Sequence, residues 1–540
     1  MKILKKPEIL KKNQLGRHLF LYIVAVLFLM LLIFTTFSNL KYFLVSTKKM
    51  EEKAAEHKRV VDAVEAFKET EKIKAQDKRE QMIYLWGNQT IGCQITEAQL
   101  ENMKMSYVIK EELINCKDAF ILFVCQAAFS ESELITLDKW NKKGMIIFFT
   151  QIPEEEQLRK KSLQKLLGIE SYKGIEGERG VRLSEALLFG EIAESKEKIR
   201  VKKIELANQT EVYAQTLEKD IPLFWRYKQS VDSGSIYVAD KSLFEKKTGY
   251  AVISFLLEDV YESYMYPIVN AYCFMVVGMP YEEYTGTASE EYLESVYGKN
   301  ALGVENDIFF PEIRRCEDRY GLKATWYTSQ KKEIKTTTNP LIQYYIKNIE
   351  KNYDEIGEWN LKTGKKKVPS EFDNALKEWS PEFRWLENEQ VQIPYMNIST
   401  ADYRAVLVEN LSGIKGLGFT SSVINIDEFL DEESSADWID FSNNLESVLG
   451  TEKQEIFWLD RVSAREAVYR IRAFEVMEPR LSYTSEGIDI QIDFFADAAY
   501  FYLRTKKEII EALNAEVTEI SDNLYLIKIT KERAKIEFQG

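Results

Sequence analysis

The chain has only two histidines, His18 and His57, and none occurs from Lys58 to Gly540. Histidine is the usual general base near neutral pH and the commonest metal ligand, so chemistry in this long stretch falls to carboxylates and thiols. Two acids about 5 to 9 Å apart suffice to break a glycosidic bond without histidine or metal. Glu282 or Glu283 with Asp427 or Glu428 are the acids that could form such a pair, although 86 Asp and Glu make chance pairings common. The five cysteines, Cys93, Cys116, Cys125, Cys273 and Cys316, form no CxxC pair, which weakens zinc and thioredoxin-type readings. Cys116, Cys125 and Cys273 sit in or beside apolar runs and read as buried small hydrophobes. One disulfide can form, but the sequence does not name it.

These residues must be positioned by a chain of 540 residues, enough for two to four domains. Hydrophobic content of 45% and charged content of 29% supply ample cores. A net charge of −14 argues against nucleic acid, whose binders cluster Lys and Arg. The acidic excess reads as a solvated surface, with attraction to a polymer carrying free amines as the minority reading.

Leu19–Phe37 (LFLYIVAVLFLMLLIFTTF) carries no charge. As a helix it rises about 28 Å, enough to cross a bilayer core. Lys2, Lys5, Lys6, Lys11, Lys12 and Arg17 precede it with Glu8 the only acid, which places the N-terminus in the cytoplasm and the bulk of the chain outside the plasma membrane. The run is longer than a usual signal-peptide core and lacks an A-x-A site, so it reads as a single uncleaved anchor. The division expected is a tail at 1–18, a transmembrane helix at 19–40 and a charged helical stalk at 41–81. The stripe Val60, Val64, Phe67 leaves stalk-mediated dimerisation open.

Residues 82–248 alternate apolar strands (82–86, 119–125, 145–152) with amphipathic helices such as 131–144, which predicts a parallel sheet covered on both faces. Alternating patterns near 199–240 add strands. The layout resembles glutamine-amidotransferase-like or flavodoxin-like domains. Cys125 ends a strand where an amidotransferase nucleophile would sit, but FVCQAAF is no glycine-flanked elbow and no histidine can activate the thiol. Residues 249–270 read as a buried bridging helix.

A second α/β section, 271–478, contains strand AYCFMVVG (271–278), helix NDIFFPEIRRCEDRYG (306–321) capped by Asn306 or Asp307, and strand LKATWYTS (322–329). With 399–414, 416–441 and 460–475 in similar order, this succession resembles polysaccharide deacetylases. It is similar in particular to an uncharacterised membrane-anchored group linked to Pel-type exopolysaccharide loci, and so to biofilm, in Gram-positive bacteria. The resemblance implies a (β/α) barrel whose first strand ends in an Asp pair, with two histidines completing a metal site. Here Val276 and Val277 stand at the acid positions, and YDEIGEWNL (353–361) holds no histidine where the second motif would fall. The implied protein is a degenerate barrel with no metal or cofactor, leaning away from enzymatic activity.

Seven aromatic residues accompany the barrel: Trp326, Tyr327, Trp359, Trp379, Trp385, Trp438 and Trp458. Core packing accounts for most of them. Trp326 and Trp359, with Asp427 and Asp431, are the glycan-binding candidates. The basic stretch 361–369 reads as an exposed loop, and 479–540 as a small C-terminal β domain with a short helix at 509–516. The overall expectation is an α/β protein: membrane anchor, stalk, flavodoxin/amidotransferase-like domain, degenerate deacetylase-like barrel and β domain. Its expected role is accessory, in exopolysaccharide assembly or modification, with polysaccharide and synthase or export proteins as partners. The alternative is an active carbohydrate deacetylase or glycoside hydrolase using carboxylates.

Overall fold

The computed structural model describes residues 82–87, 90–189, 198–279, 290–328, 340–351, 355–358, 384–386, 390–392, 395–399, 402–430 and 437–539. The anchor at Leu19–Phe37, both histidines and the stalk lie outside them. Among the described residues no helix is long and apolar enough to cross a membrane.

The first domain is built on the expected apolar strands. Tyr107–Lys110, Ile83–Trp86, Ile121–Val124, Ile146–Phe149 and Ser235–Ala239 lie side by side in parallel. Antiparallel strands Pro222–Lys228, Thr210–Thr216 and Val181–Leu183 extend that sheet. Strands IYLW and ILFV are buried at every position because helices cover both faces. Helix Glu131–Asn141 starts at Ser130, whose hydroxyl and Glu133 form a reciprocal capping box.

Cys125 is not a free small hydrophobe. It is bonded to Cys93 in the first turn of helix Ile91–Asn102, joining the end of one strand to the neighbouring helix. Its sulfur is thereby unavailable as a nucleophile. Cys116, Cys273 and Cys316 are buried free thiols, and burial pushes the Cys116 thiol up to about 11.

The segment 249–270 is not one helix. Its helix spans Thr248–Val260, and Ser263–Ile268 is a strand. Alternation of side chains in SYMYPI suits a sheet, and the strand pairs antiparallel with Ala499–Thr505. The C-terminal β region therefore borrows a strand from before the second α/β section. It holds two four-stranded antiparallel sheets. The expected helix at 509–516 is also replaced by strands, Ile509–Leu513 and Ala515–Ser521. Asn514 between them takes φ 54°, the left-handed conformation that Asn tolerates and that breaks a helix.

In the second α/β section the strands of the main sheet are all parallel, and Arg384–Leu386 and Gln390–Gln392 form a separate antiparallel pair. The spatial order in the main sheet is Glu355–Glu358, Ala324–Thr328, Ala271–Val277, Phe419–Asn425, Met396–Asn397. Numbered along the chain that order is third, second, first, fifth, fourth, which is chain order running around a ring opened between third and fourth. The classic doubly wound order would place the fourth strand beside the first; here the fifth lies there, the neighbour relation found around a (β/α) ring, open between third and fourth among the described residues. The short strand Arg461–Val462 pairs with the start of the first strand. The helix before the second strand differs from expectation: a π-helical turn, Glu305–Phe309, runs directly into helix Phe310–Tyr320. Asn306 and Asp307 thus lie inside helical structure and cap nothing. Asn306 instead accepts a hydrogen bond from the Tyr345 hydroxyl.

Candidate functional site at the barrel mouth

Period-two alternation decides which strand residues can reach the mouth. Thr420 and Ser422 bond to Asn410 on helix Tyr403–Leu417, which packs on the outside of the arc. The paired residues Tyr272, Phe274 and Val276 therefore face outward with them. Cys273, Met275, Val277, Val423 and Asn425 face inward. Trp326 pairs with Val276 and Tyr327 with Val277, so the tryptophan points out and the tyrosine in.

This overturns Trp326 as a glycan-stacking residue. Its side chain is 0% exposed and packs against Phe310, ring centroids 5.4 Å apart. Trp438 is likewise core, with its ring 4.1 Å from that of Phe309. Tyr327 is an aromatic residue of the inner face, and strand register alone could have identified it. Trp359, Asp431, Glu282 and Glu283 lie outside the described residues. Asp427 opens the short helix Asp427–Leu430 beyond the fifth strand, and its side chain is not described.

Glu428 lies one residue further along the same turn and forms a defined cluster. Asn397, at the end of the fourth strand, donates from Nδ2 to Glu428 Oε1 at 2.6 Å. Asn425, at the end of the fifth, donates from Nδ2 to the same oxygen at 3.2 Å. Ser399 ties the two strand ends together: its backbone N–H donates to Asn397 Oδ1 at 3.1 Å, and its hydroxyl accepts from Asn425 N at 2.8 Å. An ionised carboxylate only accepts, so both amides must turn their NH₂ groups to it. What remains unpaired among the described residues is Asn425 Oδ1 and Glu428 Oε2, two buried acceptors without a hydrogen-bond partner there. Buried unpaired polar atoms are costly and uncommon.

The first strand contributes no acid to this cluster. Val276 is turned outward and Val277 lines the inner face; both are buried. Among the described residues no three His, Cys, Asp or Glu side chains converge. One carboxylate between two carboxamides does not make the His and Asp donor set that a hydrolytic transition metal prefers. The described residues do not fit the metal that the deacetylase resemblance implies.

On the outer face a second polar cluster is enclosed. Glu452, on helix Trp438–Glu455, is 0% exposed and accepts from Asn410 Nδ2 at 2.7 Å. Burial raises its carboxyl to about 7, opposed by the Asn410 hydrogen bond, the Tyr272 phenol and the charge of Arg461. It faces helices rather than the mouth and is a structural group.

A model of bacterial proteins described as "Uncharacterised protein conserved in bacteria (DUF2194)" matches residues 367–526, from the later barrel into the β region. No curated protein matches the chain. The structure is similar to that of Agd3, described as a novel carbohydrate deacetylase, at 7% identity and TM-score 0.45 over 85% of this chain and 98% of that one. It is also similar to a β-galactosidase from Bacillus circulans sp. alkalophilus (13% identity, TM-score 0.26, 33% of this chain) and an α-L-fucosidase from Paenibacillus thiaminolyticus (12%, 0.27, 34%). The chain spans about a third of each of these glycosidases, 31% and 34% respectively.

Proposed function

We propose that this protein binds a saccharide at the barrel mouth and does not hydrolyse it through a metal. The observation that carries the reading is the pair of buried acceptors, Asn425 Oδ1 and Glu428 Oε2, unpaired among the described residues at the ends of the barrel strands. Acceptors without spare donors call for a ligand that donates, and sugar hydroxyls and amide N–H groups do so. The C-terminal ends of barrel strands are where ligands of this architecture are held. Val276 and Val277 in place of acids favour binding over metal-assisted chemistry.

The wider proposal is an accessory role in exopolysaccharide assembly or modification. The protein would be held at the plasma membrane by Leu19–Phe37 with its bulk outside, and would present glycan to synthase or export partners. Its support is the uncharged run flanked by N-terminal lysines and the domain order inferred from sequence. Titration of the full-length protein with acetylated hexosamine oligomers, with acetate release and bound metal measured in parallel, tests the reading. Saturable binding without acetate release supports it. Release of acetate or of shortened oligomers supports the alternative of an active deacetylase or glycoside hydrolase.

A further inference from the structure

One inward-facing row of paired residues in the barrel sheet runs Asn397, Val423, Met275, Thr325, Glu355. It has an acid at each end: Glu355 itself, and Glu428, to which Asn397 donates. Their surroundings differ. Glu355 Oε1 meets Arg465 Nε at 2.8 Å, and its Oε2 accepts from the Arg465 backbone N–H at 3.1 Å. Glu428 has two neutral carboxamides on Oε1 and meets no cation among the described residues.

Three other enclosed acids resemble Glu355. Glu178 meets Lys219 at 2.6 Å, Glu258 meets Lys415 at 2.6 Å and Glu317 meets Arg314. A charge taken out of water is paired as a rule, because an uncompensated one is costly. Glu428 is therefore short of a counter-charge, and its Oε2 is buried without a hydrogen-bond partner there.

We propose that the ligand supplies this charge: the saccharide held at the mouth is an amino sugar whose free ammonium group donates to Glu428 Oε2 and Asn425 Oδ1. The inference rests on the saccharide reading of the mouth and names the class of sugar. Both oxygens only accept. An ammonium group has three donors and no acceptor, so it satisfies both oxygens and neutralises the carboxylate at once. A hydroxyl brings lone pairs of its own, and an acetamide N–H donates once and carries no charge. A calcium-type ion would call for about six to eight oxygens, of which these supply two.

The test titrates the full-length protein, in chelator, with a glucosamine hexamer, an N-acetylglucosamine hexamer and a lysine hexapeptide. The glucosamine hexamer should bind about tenfold more tightly than the acetylated one, since charge-assisted hydrogen bonds exceed neutral ones. That margin should persist at high salt, because a buried pair is screened far less than an exposed one, and this wild-type measurement stands even if a variant folds poorly. Glu428→Gln should bring both hexamers to one weakened affinity. Exposed Glu511→Gln, on the C-terminal sheet, should keep the margin, which separates the site from general attraction to a chain of net charge −14. Equal or tighter binding of the acetylated hexamer, a margin retained in Glu428→Gln, or preference for the peptide would overturn the inference; the mouth would remain a saccharide site so long as either hexamer bound. Binding of neither hexamer would overturn both readings.

Discussion

Replacing Glu452 by Gln should change how stability depends on pH. The side chain is enclosed between helix Tyr403–Leu417 and the outer face of the barrel strands, with Oε1 taking the Asn410 hydrogen bond and the Tyr272 phenol beside the carboxyl. Burial raises its carboxyl from the ordinary 4.5 to about 7. The native state therefore holds this proton more tightly than the unfolded chain. Its contribution to stability is complete below about pH 4.5 and is lost as pH rises through about 7. That difference corresponds to about 3 kcal/mol. Gln keeps an oxygen for Asn410 and cannot ionise, so Glu452→Gln should gain on the wild type by up to about 3 kcal/mol between pH 4.5 and 8. Thermal unfolding of the full-length wild type and variant across this range reads the effect as a several-degree divergence in Tm for the barrel transition, since about 1 kcal/mol shifts a domain of this size by roughly 2–4 °C. Parallel Tm curves with no divergence would refute the assignment of a neutral buried carboxyl.

Other substitutions separate core from site. Trp326→Ala should destabilise by about 3–5 kcal/mol, seen in denaturant unfolding. Trp326→Phe should cost less, because the indole N–H it removes has no partner among the described residues, and should leave saccharide affinity at wild-type level. Reduction with excess dithiol, or the double variant Cys93→Ser/Cys125→Ser, should lower stability by about 3 kcal/mol. The bond closes a loop across a sequence separation of 32 residues and thereby restricts the unfolded chain. Unchanged unfolding after complete reduction, verified by thiol counting, would contradict that. Gly416→Ala should destabilise the contact between two helices, since a Cβ there would lie 2.4 Å from that of Tyr250, and thermal unfolding again measures it.

Patterns of hydrophobicity carried the first domain well. IYLW, ILFV and IIFF are short, fully apolar strands bounded by capped helices, and such runs signal a two-sided sheet. The same rule misled at 249–270. GYAVISFLLEDV has helical spacing, but the next apolar residues, SYMYPI, bury both faces in a sheet completed more than 200 residues later. A partner that distant leaves no local trace. At 509–516, Ile, Leu and Ala suit a helix by propensity, and only pairing with Arg533–Phe538 makes a strand of the first half. For the site, the deacetylase resemblance drew attention to Val276 and Val277, and the search for paired carboxylates named Glu428. Neither revealed Asn397, Asn425 or Ser399, which meet only through strand order. Trp326 was singled out for its place on a predicted barrel strand, but register gives the inner face to its neighbour Tyr327.

Saccharide binding at the mouth through acceptor groups, without metal chemistry, can be read in one titration. An acetylated hexosamine oligomer is added to the full-length wild type and to Glu428→Gln, with and without a chelator, while acetate is monitored. Wild-type binding should be saturable and unchanged by the chelator, with no acetate released and about ten- to a hundredfold weaker binding in the variant, as expected for losing a hydrogen bond to a charged group. Acetate release that a chelator abolishes, or equal affinity in wild type and Glu428→Gln, would contradict it.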